Sequence, residues 1–383
     1  MISPFVSGVG ITPVGRLEGS NAPGLISSAA LAALRDAALG PADIDGFLTA
    51  YSISYPHLML ASVLSEGLGL APKVCAAVQA GGATAAILVM QAVDLVRSGR
   101  CRNVLVALGD NRLTGVGRDG TVALLSRIGH PVFEQPFGIS VPAAYALVAQ
   151  RYMADYGTTS EDLADIAVLH RAHAALHPLA HMREPISRDD VLSSRMIASP
   201  LHMLDCCLIS DGAAAVVVSA EDGRADAARP AVRVIGAGQA HTHEHIVAAR
   251  SLTEFACKDA AARAMAEAGV RHDDIGVLGI YDSFTITLAV QLESMGFVQP
   301  GETGRAVASG VFSRYGKHPL NLHGGLLSFG HSGAAGGMFH VVEVVEQLRG
   351  TAGARQAQGQ KIGFVHNDGG ILSAHCSLVL ARD

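Results

Sequence analysis

The chain has 383 residues, 49 % of them hydrophobic and only 16 % charged, a balance that builds a packed core and excludes a disordered chain. With 28 Lys+Arg against 34 Asp+Glu, a net charge of −6, it lacks the basic surface that nucleic-acid binding needs. The opening MISPFVSGVG has no charged n-region, and the most apolar run, 74–90, is interrupted by Gln79, Gly81 and Gly82, so neither a secretory signal nor a bilayer span is expected and the location expected is cytoplasmic.

Short β-branched runs alternate with Ala-rich helical stretches, the pattern of a layered α/β protein. In chain order the spacing predicts a strand over 5–11, a helix over 28–39, strands over 46–51 and 74–79, a helix over 83–98 and a strand over 103–108. The helix from Ala83, ATAAILVMQAVDLV, is apolar on nearly every face and therefore runs through the interior. An insert of helices and loops follows over 110–211, suited to capping a site, and Ser210-Asp211-Gly212 turns into a strand over 213–219.

The second half repeats the first. A strand over 231–236 and a helix over 255–268 lead into GVRHDDIGVLGIYD, which echoes LGPADIDGFLTAY, with Asp274-Ile275 answering Asp43-Ile44. A Gly-Gly pair stands before a buried helix in both QAGGATAA and NLHGGLLSFGHSGAAGG. The expected division is a first half over 1–109, an insert over 110–212, a last strand and linker over 213–230, and a second half over 231–383.

Six cysteines (Cys75, Cys101, Cys206, Cys207, Cys257, Cys376) form no C-x-x-C pair and read as reduced thiols, with no disulfide frame or zinc site. His241, His243 and His245 alternate in HTHEH and would share one side of a strand, as metal ligands do, but alternate histidines on an exposed edge are the plainer reading and no metal is expected. His170, His173, His177 and His181 have helical spacing, yet Pro178 breaks the helix before the last of them, so a solvated or loop-facing stripe is expected. At Gln79-Ala80-Gly81-Gly82-Ala83-Thr84 a strand meets a helix N-terminus, whose N–H groups and dipole suit an enolate or thioester oxygen; close helix–strand packing explains the same glycines.

The segments SRMIASPLHMLDCCLISDGAAAVVVS, IYDSFTITLAVQLESMGF, NLHGGLLSFGHSGAAGG and HNDGGILSAHCSLVL, in that order, resemble the thiolase superfamily, most closely its sterol-carrier-protein type, over essentially the whole chain. The resemblance implies an α/β thiolase fold: two duplicated βαβαβαββ halves in a five-layer α/β/α/β/α sandwich. It also implies a homodimer and carbon–carbon chemistry on acyl-CoA thioesters, with coenzyme A as part of the substrate and no covalently bound cofactor. The same family implies a partner built from a zinc ribbon and an OB-fold. No nucleic-acid or membrane partner is expected.

The departures from the family pattern direct the chemistry. Gly82 aligns with the nucleophilic Cys of thiolases, and His366 aligns near their second catalytic Cys. Cys75 lies seven residues before Gly82, roughly 20 Å along a strand, and cannot substitute. His331 in Gly330-His331-Ser332 matches the G-H-P histidine, and Tyr281 stands in place of the His of the H-D-C-F motif, a variant that resembles thiolase-like steroid side-chain aldolases, in which a second Tyr stands at the place of His331. Retro-aldol cleavage needs proton transfer and enolate stabilisation but no covalent acyl intermediate, so cysteine becomes dispensable. The expected catalytic residues are Tyr281, His331 and His366, with Gly82, Ala83, His323, Gly369 and Gly370 positioning the thioester oxygen. Tyr281 serves either as a base or as a hydrogen-bond donor, and Asp282 either as a functional carboxylate or as a structural cap. Acyl transfer to CoA, or a non-catalytic acyl-CoA-binding subunit, are the alternative functions.

Overall fold

The structure, a computed structural model, describes residues 4–223 and 229–383; of the expected linker, residues 224–228 lie outside that description. The first half runs β1 (Phe5–Ile11), α1 (Ala22–Ala37), β2 (Gly46–Ala50), α2 (Leu60–Gly67), β3 (Val74–Val78), α3 (Thr84–Arg97) and β4 (Asn103–Asn111). The insert contributes α4 (Arg118–Leu125), α5 (Val141–Tyr156), α6 (Ser160–Ala174), α7 (Arg188–Ser193) and a small hairpin, β5 (Met196–Ala198) with β6 (Leu201–His202). The chain then returns as β7 (Asp211–Ser219), and the second half runs β8 (Val232–His241), α8 (Cys257–Ala268), β9 (Val277–Ile280), α9 (Thr285–Ser294), α10 (Thr303–Ala308), α11 (Ala335–Arg349), β10 (Ile362–Gly369) and β11 (Ala374–Arg382).

The strands lie in the order β3-β2-β4-β7-β1-β8-β11-β10-β9. β1 and β8 touch through the single pair Phe5↔Arg233, so the array is two sheets meeting at one corner. In the first, β2 is parallel to β3 and β4, and β7 runs antiparallel between β4 and β1. In the second, β9 is parallel to β10, β11 is antiparallel to β10 and β8, and a parallel bridge Leu278↔Leu320 stands where the first half has β3. The duplicated halves are thereby matched strand for strand.

Three apolar clusters define five layers. One joins α1 and α2 to the outer face of the first sheet through Ile26, Leu34, Phe47, Leu64 and Leu105. A second packs α3 and α11 between the sheets through Leu88, Val89, Phe339 and Val345. A third covers the outer face of the second sheet with α8, α9 and α5. Buried residues occur on every side of α3, as its composition requires of a helix enclosed by protein. The same packing device recurs in each half: a Cβ on Gly8 would lie 2.2 Å from Ala33 O, and one on Gly236 2.2 Å from Ala264 O, so each first strand presses its backbone onto its outer helix.

Two boundaries differ from expectation with consequences for the site. α1 begins at Ala22 because Asn21 Oδ1 accepts the Gly24 N–H at 2.8 Å and proline occupies the first turn. β4 continues past Leu108 to Asn111, carrying the chain to Arg112 at the carboxyl end of the sheet. The histidine row is a correction: His170, His173 and His177 are buried, because α6 ends at Ala174 and its inner face packs against the 325–329 turn and α9. No helix among the described residues is long and apolar enough to cross a membrane.

Candidate active site

The carboxyl ends of β3, β4, β9 and β10 converge at one place, where open α/β sheets hold their ligands. After β3 the turn at 80–84 is closed by Thr84 Oγ1, which accepts the Ala80 N–H at 2.9 Å and donates to Gly81 O at 2.6 Å. After β10 the Gly369-Gly370 turn lies directly against it: a Cβ on Gly81 would stand 2.8 Å from Gly370 N, and one on Gly369 2.1 Å from Ala80 O. Asn367 ties the two halves together here, its Oδ1 accepting the Ala86 N–H of α3 at 3.1 Å and its Nδ2 donating to Gly337 O of α11 at 3.3 Å. Gly82, Ala83, Gly369 and Gly370 are therefore brought together as expected.

Tyr281 follows β9 and is held by its backbone, donating to His366 O at 2.9 Å and accepting from Gln291 Nε2 at 3.0 Å. Its phenol fills the space over Gly82. A Cβ at position 82 would lie 2.2 Å from both Tyr281 Cζ and Tyr281 Oη, and 2.4 Å from Asp368 O. The position that aligns with a thiolase nucleophile thus has no room for a side chain while Tyr281 is present.

Tyr281 Oη lies 2.8 Å from His331 Nε2. On the other side of that ring, Arg112 donates to His331 Nδ1 at 2.8 Å, and the Gly333 N–H reaches the same atom at 3.3 Å. Burial pushes the Tyr281 hydroxyl well above its usual range, reinforced by Cys207 and Asp368, and it remains a phenol at neutral pH. Burial, helped by the Arg112 charge, lowers His331 to about 3, so the imidazole is neutral. The site is also lined by Asp368, whose carboxyl burial pushes well above the usual carboxylate range and which accepts from Tyr145 of the insert at 3.2 Å.

Two expected residues stand apart from this pair. His366 is engaged on both ring nitrogens: Nδ1 is 2.8 Å from Ser377 Oγ, and Nε2 is 3.3 Å from His375 Nδ1. His375 in turn donates through Nε2 to Leu372 O at 2.9 Å, so the His366 ring closes an internal hydrogen-bond chain and is not brought to the Tyr281–His331 pair. His323 is separated from Tyr281 by His340, with ring centroids 4.9 Å from His323 to His340 and 6.1 Å from His340 to Tyr281. It lines a cavity of about 440 Å³ together with His177, Phe329, Glu343 and Arg355, and is not brought to the Tyr281–His331 pair.

Asp282 accepts the Leu326 and Leu327 N–H groups at 2.8 and 3.2 Å, which makes it the cap of the 325–329 turn. His241, His243 and His245 do not converge: they meet Gln239, Ile371 O and the His130 ring respectively. Among the described residues His177, Glu343 and Glu346 have donor atoms within 4.8 Å of one another. Both carboxylates are already held by Arg355, at 3.0 and 2.6 Å, and the Leu179 N–H occupies His177 Nδ1, an arrangement of an ion pair rather than of an open metal set.

Residues missed in the sequence are Arg112, His340, Tyr145 and Cys207. Arg112 sat at the expected start of the insert, and the signal available was its position just after a strand that ends in the polar run Gly109-Asp110-Asn111. Cys207 is near enough to Tyr281 to affect its ionisation, and burial raises its own thiol to about 12, which keeps it protonated. Cys75 is exposed near the start of β3, and Cys376 is buried in β11.

Comparison with known proteins matches residues 238–382 to the family described as "Thiolase C-terminal domain-like". An acetyl-CoA acetyltransferase of Methanothermobacter thermautotrophicus is 34% identical over 371 residues, covering 95% of this chain and 96% of that protein. A steroid side-chain-cleaving aldolase of Thermomonospora curvata is 33% identical over 364 residues, covering 91% and 90%. Among solved structures, the Ltp2-ChsH2(DUF35) aldolase superposes with a TM-score of 0.87 at 32% identity, covering 100% of this chain and 98% of that one.

Proposed function

This chain belongs to the thiolase superfamily, as a thiolase-like enzyme of the sterol-carrier-protein type, and from that premise we propose that it breaks a carbon–carbon bond in a β-hydroxyacyl-CoA by retro-aldol cleavage. The products are an aldehyde or ketone and a shortened acyl-CoA, with coenzyme A carried as part of the substrate. The observation that carries this reading is the Tyr281 phenol standing where a nucleophile's side chain would begin at position 82. A retro-aldol step needs a hydroxyl proton removed and an enolate oxygen held, tasks for a neutral phenol and nearby N–H groups rather than for a thiolate. The 80–84 and 369–370 turns supply the backbone that faces the thioester oxygen in this reading.

The test is a panel of β-hydroxyacyl-CoA and β-ketoacyl-CoA thioesters, scored for released carbonyl compound against CoA-dependent thiolysis. Carbonyl release from the hydroxy series supports the proposal; turnover of the keto series alone rejects it. Acyl transfer is the second reading, favoured by one observation, the Cys207 thiol near Tyr281. Its thiol, raised to about 12, supplies little thiolate at neutral pH, which weighs against it. The finer features of the proposal are a cytoplasmic location, in keeping with six free cysteines, a homodimer, and a zinc-ribbon and OB-fold partner. β3, at the edge of the first sheet, offers an unpaired strand to a second copy. Val132, Phe133 and Phe137 of the insert are exposed by 61% or more, an apolar face suited to a partner. Activity that arises only on mixing with such a partner supports the heteromer, and full activity of the isolated chain rejects it.

A further inference from the structure

We infer that Arg112 is a positioning residue that sets the order of protons across the site, leaving Tyr281 to accept the substrate's β-hydroxyl proton and to give its own proton to the thioester oxygen. This rests on the cleavage reading above and specifies how it operates. A guanidinium only donates hydrogen bonds. Its NH1, 2.8 Å from His331 Nδ1, therefore requires a lone pair on that nitrogen, and the Gly333 N–H at 3.3 Å requires the same. The single proton of the neutral imidazole is then on Nε2, which donates to Tyr281 Oη at 2.8 Å. Arg112 is 4% exposed, and its charge, held against the ring by this hydrogen bond, acts on the imidazole.

With one acceptor site of the phenol oxygen filled by His331, one acceptor site and the phenolic proton remain, and Oη has no other partner among the described residues. Cleavage follows without any charged intermediate on the protein. The β-hydroxyl proton moves to Tyr281 Oη as the phenolic proton moves to the thioester oxygen. The Cα–Cβ pair becomes the double bond of the enol thioester, and Cβ–O becomes the carbonyl of the departing aldehyde or ketone. The enol returns to the shortened acyl-CoA by taking a solvent proton at Cα and releasing one from oxygen. Tyr281 ends as it began, a phenol, so the burial that disfavours a phenolate is no obstacle.

The test reads the resting enzyme first, by ¹⁵N NMR of histidine-labelled protein with His331→Gln used to assign the signal. A protonated Nε2 with unprotonated Nδ1 supports the inference, and a protonated Nδ1 overturns it. This readout involves no substrate, so it stands or falls separately from the cleavage reaction. On turnover, Arg112→Met is expected to lower kcat about 100-fold with KM nearly unchanged, the scale of a misplaced catalytic group. Arg112→Lys, whose ammonium also only donates, keeps the Nε2–H tautomer and recovers at least tenfold of that loss; it also serves if the Met variant fails to fold. Undiminished kcat in a folded Arg112→Met protein overturns the inference.

Discussion

The Tyr281 hydroxyl and a side chain at position 82 exclude one another, since a Cβ on Gly82 would fall 2.2 Å from Oη. Gly82→Ala is expected to cost about 1–3 kcal/mol through overpacking and to displace the phenol from His331. Adding Tyr281→Ala removes the contact with the ring and leaves only the one with Asp368 O, so the double variant should be less destabilised than the two single effects summed. Urea unfolding of all four proteins measures this coupling; strict additivity would show that the two residues do not compete for space.

Tyr281→Phe keeps the ring that fills the site and removes only the oxygen. Turnover is expected to fall by about 10²–10³-fold, as for loss of one preorganised donor, while stability falls by about 1–3 kcal/mol because the buried His331 Nε2–H loses its acceptor. Steady-state kinetics beside calorimetry check both halves of this expectation. A rate near that of the unaltered protein would take Tyr281 out of the chemistry.

Restoring sulfur should redirect the site. In Gly82→Cys/Tyr281→His the smaller imidazole withdraws the phenol from position 82, a shift of the Asp368 carbonyl admits the Cβ, and the thiol there meets the N-terminal end of α3, which favours a thiolate. Incubation with an acyl-CoA is expected to leave an acyl group on the introduced thiol, seen as a mass increase in the intact protein. Gly82→Cys alone, with Tyr281 still in place, should stay unacylated.

Four histidines, His173, His177, His331 and His375, are lowered by burial to about 3 from an ordinary 6.5. Their folded forms bind fewer protons than the unfolded chain between those two values, so each contributes stability that is present above pH 6.5 and lost as pH falls toward 3. The slope from each is about 1.4 kcal/mol per pH unit in that window. Urea midpoints from pH 8 to pH 4 should be flat above 6.5 and drop steeply below it. A midpoint unchanged down to pH 5 would mean that these rings titrate normally.

The duplicated architecture was legible because its signals are local: alternating apolar runs, a helix apolar on all sides, and Asp43-Ile44 repeated as Asp274-Ile275. A further local signal, Gly8-Val9-Gly10 against Gly236-Ala237-Gly238, went unused although both pairs press a strand onto its outer helix. Tyr281, His331 and the two glycine turns were legible because each lies in a motif. What was not legible depends on contacts far apart in the chain. The Arg112–His331 bond joins residues separated by 219 positions, and the hydrogen-bond chain that occupies His366 runs through Ser377 and His375 of a neighbouring strand. The buried histidine row misled for a related reason: α6 already ends at Ala174, before Pro178, and His170 and His173 on it turn inward.

The most direct measurement of carbon–carbon cleavage without a sulfur nucleophile is intact-protein mass spectrometry of enzyme quenched during turnover of a β-hydroxyacyl-CoA, with the carbonyl product quantified in the same sample. The account predicts carbonyl release in step with substrate loss, no acyl adduct on any of the six cysteines, and the same behaviour for Cys207→Ala. An acylated protein that forms and decays at the rate of turnover, or loss of cleavage in Cys207→Ala, would contradict it.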